Sequence, residues 1–134
     1  MTDLRPILLV EDDLDDIELT LAALRQNNLA NEVVVARHGA EALDYLHRRG
    51  KFQNRSTDDP IVVFLDLKMP KVDGMAFFRE LSAKMPHIVR RVIFVTGDVA
   101  GTEAERFLDE SGCRWLAKPF RLRDLVKTAR EILS

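Results

Sequence analysis

The stretch Ile61-Val62-Val63-Phe64-Leu65-Asp66-Leu67-Lys68-Met69-Pro70 determines how the rest of the chain is interpreted. Its first five residues are all apolar, which predicts a strand buried on both faces, as at the centre of a parallel sheet. A carboxylate follows immediately. Because an Asp is costly to bury unless it is paired, hydrogen-bonded or bound to a cation, Asp66 at the carboxyl end of a central strand indicates a functional site.

The composition is typical of one soluble globular domain. The 134 residues are 46% hydrophobic and 31% charged, with a formal net charge of -2, so we expect no binding to nucleic acid or to an anionic membrane. The apolar runs are far shorter than the roughly 20 residues that span a bilayer, and Met1-Thr2-Asp3 does not begin a signal peptide. We therefore expect a single domain over 1–134 and a cytoplasmic location.

The cysteine and histidine content gives no sign of a zinc site or a disulfide. Cys113 is the only cysteine, and we expect it to be a buried, inert thiol. The three histidines are too scattered along the chain to form a set of zinc ligands.

Apolar runs and helical patterns alternate along the chain. The predicted strands are 7–10, 33–35, 61–65, 92–95 and 113–117. Apolar residues at helical spacing follow each strand and predict five helices. Because crossovers through a helix are right-handed, this alternation predicts an α/β fold of the doubly wound, flavodoxin-like (βα)5 type, with a five-stranded parallel sheet in the order 2-1-3-4-5 and helices on both faces. The polar stretch 48–60 is expected to be an exposed connection.

Local signals mark the ends of two helices. Asp13 is predicted to be the N-cap of the first helix, whereas Glu11 and Asp12 lie before that helix begins, so capping does not account for both. The helix at 102–111 is predicted to end at Gly112. Its apolar face is thin, and we expect it to be the least firmly anchored helix.

The predicted topology brings polar residues from four strand ends to one edge of the sheet. These residues are Glu11, Asp12, Asp66, Thr96 and Lys118. Three carboxylates so close together would repel one another unless a cation lay among them, and Mg2+, or alternatively Mn2+, is the hard divalent ion that oxygen ligands suit. The cation would keep Asp66 ionised and nucleophilic, while Thr96 and Lys118 contact phosphoryl oxygens. The set predicts phosphoryl transfer to Asp66.

The spacing of these residues resembles that of a known family. Leu9-Val10-Glu11-Asp12 ends the first strand, and Leu65-Asp66-Leu67-Lys68-Met69-Pro70 ends the third, with Gly74 eight positions after Asp66. Thr96 and Lys118-Pro119 follow thirty and fifty-two positions after Asp66. Over nearly its whole length the chain is similar to the response-regulator receiver domains of bacterial two-component signalling.

The resemblance implies a phosphoacceptor switch rather than an enzyme, a domain that assists only its own phosphorylation and dephosphorylation. Asp66 would accept a phosphoryl group from the phosphohistidine of a sensor histidine kinase. Asp12, Asp66 and the backbone carbonyl of Lys68 would bind Mg2+, with Glu11 assisting through water.

The resemblance also implies a set of switch residues. Thr96 and Lys118 would sense the phosphoryl oxygens, and Lys118-Pro119 would be a cis peptide. The family has an aromatic residue three positions before this lysine that swings inward as the threonine moves, and here it is Trp115. An indole is larger than the usual Tyr or Phe, so two interpretations stay open: an inward swing, or a partly buried residue of an edge strand.

The charge pattern bears on the output of such a switch. Residues 102–111 hold four acidic residues against one Arg, and residues 118–130 hold five basic residues against one Asp. These faces, with the fifth strand between them, are expected to control a downstream partner protein or a phosphotransfer protein, and they suit a homodimer across a two-fold axis. The alternative is two ordinary solvated faces.

The context of the domain has two interpretations. The extended 48–60 connection resembles single-domain regulators that accompany phytochrome-type kinases, and the position of Met1 just before the first strand favours this interpretation. Thr96-Gly97-Asp98 and Ser111-Gly112-Cys113 instead resemble receiver domains of hybrid histidine kinases.

Two other classes fit the sequence less well. A haloacid-dehalogenase-like phosphatase, which is metal-dependent and has an Asp nucleophile, needs a second Asp two positions after Asp66, where this chain has Lys68. A flavodoxin-like cofactor binder needs a phosphate-binding Ser, Thr or Gly loop after the first strand, where this chain has Glu11-Asp12-Asp13.

Overall fold

The computed structural model describes residues 5–26, 32–55, 59–66, 74–96, 103–117 and 122–133. The strands in these ranges are β1 (Ile7–Val10), β2 (Val33–Ala36), β3 (Val62–Asp66), β4 (Val92–Thr96) and β5 (Arg114–Ala117). The α-helices are α1 (Leu14–Gln26), α2 (Gly39–Leu46), α3 (Gly74–Lys84), α4 (Pro86–Val89), α5 (Glu103–Ser111) and α6 (Leu122–Leu133), and a 3-10 helix spans Gly50–Phe52. None of these helices is long and apolar enough to cross a membrane.

The strands form one parallel sheet in the order β2-β1-β3-β4-β5, which confirms the predicted topology. β1 lies between β2 and β3, and Val10 at its carboxyl end is in register with Leu65 of β3. The residues that follow Val10 therefore emerge beside Asp66, and the topology alone places two acidic segments next to each other.

The sheet separates two apolar cores. One face carries Leu8, Val63 and Phe94 and is covered by α2, α3, α4 and α5. The other face carries Leu9 and Phe64 and is covered by α1 and α6. Each fully buried Leu, Val or Phe side chain contributes about 1.5–3 kcal/mol relative to an exposed one. Every residue of β3 is buried, including its last, Asp66.

One helix prediction was wrong. We expected five helices, with Pro86 closing the third, but α3 ends at Lys84 and Pro86 begins the separate short helix α4. Proline is favoured in the first turn of a helix, where its missing N–H would have no intrahelical partner. α4 also buries Ile88 against the core, and this burial favours a helical turn over an extended loop at that position.

The predicted helix ends are confirmed. The Asp13 side chain accepts hydrogen bonds from the backbone N–H groups of Asp15 and Asp16 at 2.9 and 3.1 Å, so Asp13 caps α1. Gly112, just after α5, has a φ of +70°, the left-handed conformation that glycine adopts at low cost.

Two expectations need correction. Cys113 is half-buried rather than buried: it lies just before β5, which forms an edge of the sheet, and its thiol donates to the carbonyl of Val89 in α4 at 3.4 Å. The connection after α2 is exposed at Arg48–Lys51 but not throughout, since the side chain of Arg55 is only 7% exposed and lies against α2.

Candidate functional site

Three carboxylates meet at the carboxyl edge of the sheet. Glu11 and Asp12 directly follow β1, and Asp66 ends β3. Each offers a carboxylate oxygen, and these three oxygens lie within 4.8 Å of one another. Glu11 and Asp66 are only 4% and 5% exposed, whereas Asp12 is partly exposed. The cluster therefore has two buried members and one that faces solvent.

Backbone hydrogen bonds fix the orientation of this acidic turn. Oε1 of Glu11 accepts from the backbone N–H groups of Asp12 and Asp13, both at 3.1 Å. The side chain of Arg37 donates to the backbone carbonyl of Asp12 at 3.0 Å. The turn is thus held from both sides, and the Asp12 carboxylate is presented on a fixed backbone.

The donor set suits a hard divalent cation. Oxygen ligands of Mg2+ lie about 2.1 Å from the ion, so any two of them lie within about 4.2 Å of each other. The observed limit of 4.8 Å is slightly larger, and a small side-chain adjustment or one bridging water removes the difference. Without a cation, three ionised carboxylates at this distance repel one another, and burial of two of them strengthens the repulsion. The cluster is therefore chemically suited to divalent metal.

A cavity of about 10 Å³ lies below the carboxylates, on the sheet face that α1 and α6 cover. Its lining consists of Leu9, Val10, Glu11, Thr20, Phe64, Asp66, Val95 and Leu125. Thr20 is a buried polar residue that sequence analysis missed. The available signal was its place three positions after Ile17, where a hydroxyl interrupts the apolar face of α1.

The other predicted site residues are only partly described. Thr96 is the last residue of β4, and its backbone is in register with Ala117 at the same edge of the sheet. Lys68 and Lys118-Pro119 lie outside the described residues, and so do the predictions made for them. Trp115 lies on β5 in register with Phe94 and is 40% exposed.

The chain matches the family described as response regulator receiver domain over residues 7–130. It belongs to this family. Receiver domains take phosphoryl groups from histidine kinases and act as signalling switches in two-component systems. The sequence resemblance and the observed fold agree with this assignment.

Three similar proteins are response regulators. The receiver domain is 29% identical to the response regulator Rcp1 of Synechocystis sp. over 130 residues, which are 96% of this chain and 86% of Rcp1. It is 44% identical to the bacteriophytochrome response regulator AtBRR, with a TM-score of 0.79 and coverage of 98% and 93% of the two chains. It is 29% identical to the cyanobacterial phytochrome response regulator RcpA, with a TM-score of 0.77 and coverage of 97% and 91%.

Solved structures of two of these relatives concern phosphorylation and a bound divalent metal. The RcpA structure is of the phosphorylated protein. A structure of Rcp1 is of its Mn2+-bound form, with a TM-score of 0.74 to this receiver domain at 28% identity, and coverage of 96% and 91% of the two chains.

Proposed function

We propose that Asp66 is the phosphoacceptor of this receiver domain and that the whole chain, 1–134, acts as one phosphorylation-controlled module. The observation that carries the proposal is the position of Asp66, which ends the buried strand β3 with its carboxylate within 4.8 Å of those of Glu11 and Asp12. A carboxylate oxygen of Asp66 attacks the phosphorus of a phosphohistidine, the P–N bond breaks, and an acyl phosphate forms on Asp66. The electron pair of the broken bond returns to the imidazole of the kinase.

Asp12 and Asp66 are proposed to bind Mg2+ directly, with the backbone carbonyl of Lys68 as the third protein ligand. Glu11 is assigned a role through water, because one of its carboxylate oxygens already accepts two backbone hydrogen bonds. When bound, the ion supplies positive charge that offsets the charge of the incoming phosphoryl group. Asp12 is the partly exposed member of the cluster, so an ion that arrives from solvent meets Asp12 first.

Intact mass after incubation with a small phosphodonor tests this proposal. We expect the gain of one phosphoryl group in the presence of Mg2+ and none after the metal is chelated. Asp66→Ala should abolish the gain, whereas the matched control Asp15→Ala, an exposed Asp on α1, should retain it. A phosphoryl group on the Asp66→Ala protein would assign the acceptor role to another residue.

The proposed readout runs from Thr96 to α5. Thr96 and Lys118 approach the phosphoryl oxygens, the segment between β4 and α5 follows, and Trp115 responds from β5, with Lys118-Pro119 in the cis form. Support comes from the way α5 is attached, through the buried Leu108 and the half-buried Phe107. An element with few buried contacts costs little free energy to move. Amide hydrogen exchange with and without a phosphoryl mimic tests this, and unchanged protection over 96–112 would rule it out.

The partners are proposed to be a sensor histidine kinase and a downstream protein or phosphotransfer protein. The similarity to the bacteriophytochrome response regulator AtBRR and the phytochrome response regulator RcpA supports a phytochrome-type kinase as the phosphodonor. Phosphotransfer from such a kinase, with a kinase of an unrelated system as control, tests this choice. Equal rates from both kinases would contradict it.

A homodimer through α5, β5 and α6 is also proposed. The exposed side chains of α5 include three acids, Glu105, Asp109 and Glu110, and those of α6 include Arg123, Lys127 and Arg130. Within one chain, Arg114 of β5 already pairs with Glu131 of α6 at 3.0 Å. Light scattering on both phosphorylation states tests the proposal, and a monomer in both would remove it.

A further inference from the structure

A basic surface lies at the amino-terminal edge of the sheet, opposite the carboxylate cluster. We name it the basic edge and define it by the exposed side chains of Arg48, Arg49, Lys51, His87 and Arg90. Residues 47–55 contain four Lys and Arg residues, residues 84–91 contain three, and neither segment contains an Asp or Glu. This concentration of positive charge stands out in a chain whose formal net charge is -2, and the phosphoacceptor chemistry does not use it.

The basic edge is built on a fixed scaffold. The Arg55 guanidinium lies 4.2 Å from the centroid of the Tyr45 ring and donates to the Tyr45 carbonyl at 2.7 Å and to Asp59 at 3.3 Å. The other carboxylate oxygen of Asp59 lies 3.3 Å from Nε2 of His87 at the start of α4. These contacts join the segment after α2 to α4. The backbone that carries the cations of the basic edge is therefore already fixed before a partner binds, which lowers the conformational entropy lost on binding.

Arg48 occupies a position where arginine is unfavourable. α2 ends with backbone hydrogen bonds from Arg49 to Asp44 at 2.8 Å and from Arg48 to Tyr45 at 3.3 Å, the pattern of a Schellman motif. Arg48 has the left-handed φ of 56° that this motif requires and that glycine usually supplies. Its guanidinium donates to the Arg55 carbonyl at 2.6 Å. This hydrogen bond holds the Arg48 side chain in place at the basic edge.

The carboxylates near the basic edge do not cancel it. Arg49 pairs with Asp44 at 3.5 Å and Lys51 with Glu41 at 3.3 Å. In both pairs the cation is well exposed, and exposed ion pairs contribute little, so these cations can exchange one carboxylate for another. α2 connects the parallel strands β2 and β3, so its carboxyl-terminal end lies at this edge and favours cations there through the helix dipole.

We propose that the basic edge is a docking surface for a short acidic segment of a partner protein. An anionic polymer or an extended anionic membrane would also face the carboxylates of Glu41, Asp44 and Asp59, which lie among these cations. A short segment with a few Asp and Glu residues can place its charges against the cations alone, with less of that repulsion. The proposal does not depend on the assignment of Asp66.

A titration of the full-length 15N-labelled chain, followed by amide NMR, tests the proposal. The probe is an eight-residue peptide of alternating Asp and Glu, and its control is the same peptide with Asn and Gln. We expect amide shifts within 47–55 and 84–91 for the acidic peptide at low ionic strength. Raising the salt to about 0.15 M, where the Debye length is about 8 Å, should weaken binding. Absence of shifts, or equal shifts with the Asn and Gln peptide, would overturn the proposal.

Matched variants locate the binding surface. Arg48→Asn combined with Arg90→Gln removes two cations, and Asn is tolerated in the left-handed conformation. We expect about fivefold weaker binding, as for the loss of two exposed charge contacts. Arg79→Gln combined with Arg106→Gln removes two exposed cations of α3 and α5 and should leave binding unchanged. If this control variant weakens binding instead, the basic edge is not the docking surface.

Two further probes decide the class of partner. A 12-base-pair DNA duplex and vesicles of phosphatidylcholine with one quarter phosphatidylglycerol are titrated under the same conditions. Tighter binding of either probe than of the peptide, with loss in the Arg48→Asn and Arg90→Gln variant, would overturn the acidic-protein assignment. Weak binding of both probes supports it. Phosphorylation of this variant, measured by intact mass, should equal that of the unmodified chain.

Discussion

The guanidinium of Arg55 lies 4.2 Å from the centroid of the Tyr45 ring and hydrogen-bonds to the carbonyl oxygen of the same residue at 2.7 Å. The side chain of Arg55 is nearly buried, although most of the segment that carries it is polar. Together with Phe52, whose ring also packs on Tyr45, Arg55 attaches the connection between α2 and β3 to the body of the domain. It does so through both the face of an aromatic ring and a charge-assisted hydrogen bond.

Replacing this anchor should lower stability without touching the phosphoacceptor site. Arg55→Met keeps the length of the side chain but loses the cation–π contact and the hydrogen bonds, so we expect the free energy of unfolding to fall by about 2 kcal/mol. Urea unfolding followed by circular dichroism measures the change. The exposed Arg90→Met serves as control and should stay within about 0.5 kcal/mol of the unmodified chain. Equal losses in the two variants would contradict the role of Arg55.

The contribution of Asp13 as a hydrogen-bond acceptor at the start of α1 can be separated from the contribution of its negative charge. Asp13→Ala removes the acceptor for two backbone N–H groups and should cost about 1 kcal/mol of unfolding free energy. Asp13→Asn keeps the acceptor oxygen and should cost only a few tenths of that. If Asp13→Asn is as destabilising as Asp13→Ala, the negative charge near the helix dipole matters more than the cap.

Phe107 should be one of the two attachments of α5, beside the buried Leu108. Its ring contacts those of Phe78 and Phe94 at 5.6 and 5.7 Å between centroids, and the guanidinium of Arg79 lies 5.7 Å from the Phe107 ring centroid. Because Phe107 is half-buried, Phe107→Ala should cost about 1–3 kcal/mol, less than a fully buried Phe.

Hydrogen exchange identifies the part of the domain that Phe107→Ala destabilises. Amides of 105–111 should exchange faster in Phe107→Ala than those of β3, because α5 opens locally. The exposed Arg106→Ala, on the same helix, is the control and should show no such difference. Uniformly faster exchange across the whole chain would mean that Phe107 supports the domain rather than α5 in particular.

The thiol of Cys113 should react slowly at neutral pH. Burial raises the pKa of Cys113 above its ordinary value, and the hydrogen bond with Ser111 offsets this only in part. The neutral thiol is therefore favoured in the folded protein. Iodoacetamide at pH 8 should modify Cys113 more slowly than the thiol of a short unfolded peptide, and the rate should rise above pH 9. Equal rates at pH 8 would show that the thiol is not shielded.

The raised pKa of Cys113 also predicts how the stability of the fold changes with pH. The folded state holds the thiol proton more tightly than the unfolded chain, whose cysteine pKa is about 8.5. The contribution of Cys113 to stability is thus complete below that pH and is lost as the pH rises toward the folded-state pKa. A Cys113→Ser variant removes this dependence and is the control in urea unfolding between pH 7 and 10.

The sheet and the acidic cluster were predictable because both follow from local patterns within segments and from the order of those segments along the chain. Five apolar residues before Asp66 require burial on both faces, and alternation with helices then fixes the parallel order. Once β1 and β3 are neighbours, Glu11, Asp12 and Asp66 must come together. No detail of side-chain packing is needed for this result.

Features that depend on contacts between distant segments were not predictable. The sequence around Arg55 does not distinguish this residue from an exposed arginine, and only the fold brings its side chain to Tyr45. The left-handed backbone conformation of Arg48 could not be predicted, because glycine normally occupies the position after a helix that needs it. Pro86 was read as the end of a helix, although the same residue also starts helices, and the choice between the two depended on the burial of Ile88.

Trp115 gives this protein a built-in optical probe. It is the single tryptophan of the chain, it is 40% exposed, and it lies on β5 in register with Phe94, two residues before Thr96 on the neighbouring strand. All tryptophan emission therefore comes from one point beside the segment on which the proposed switch depends. Wavelength and acrylamide quenching of that emission report how far solvent reaches the indole, so movement at this edge of the sheet is visible without any attached dye.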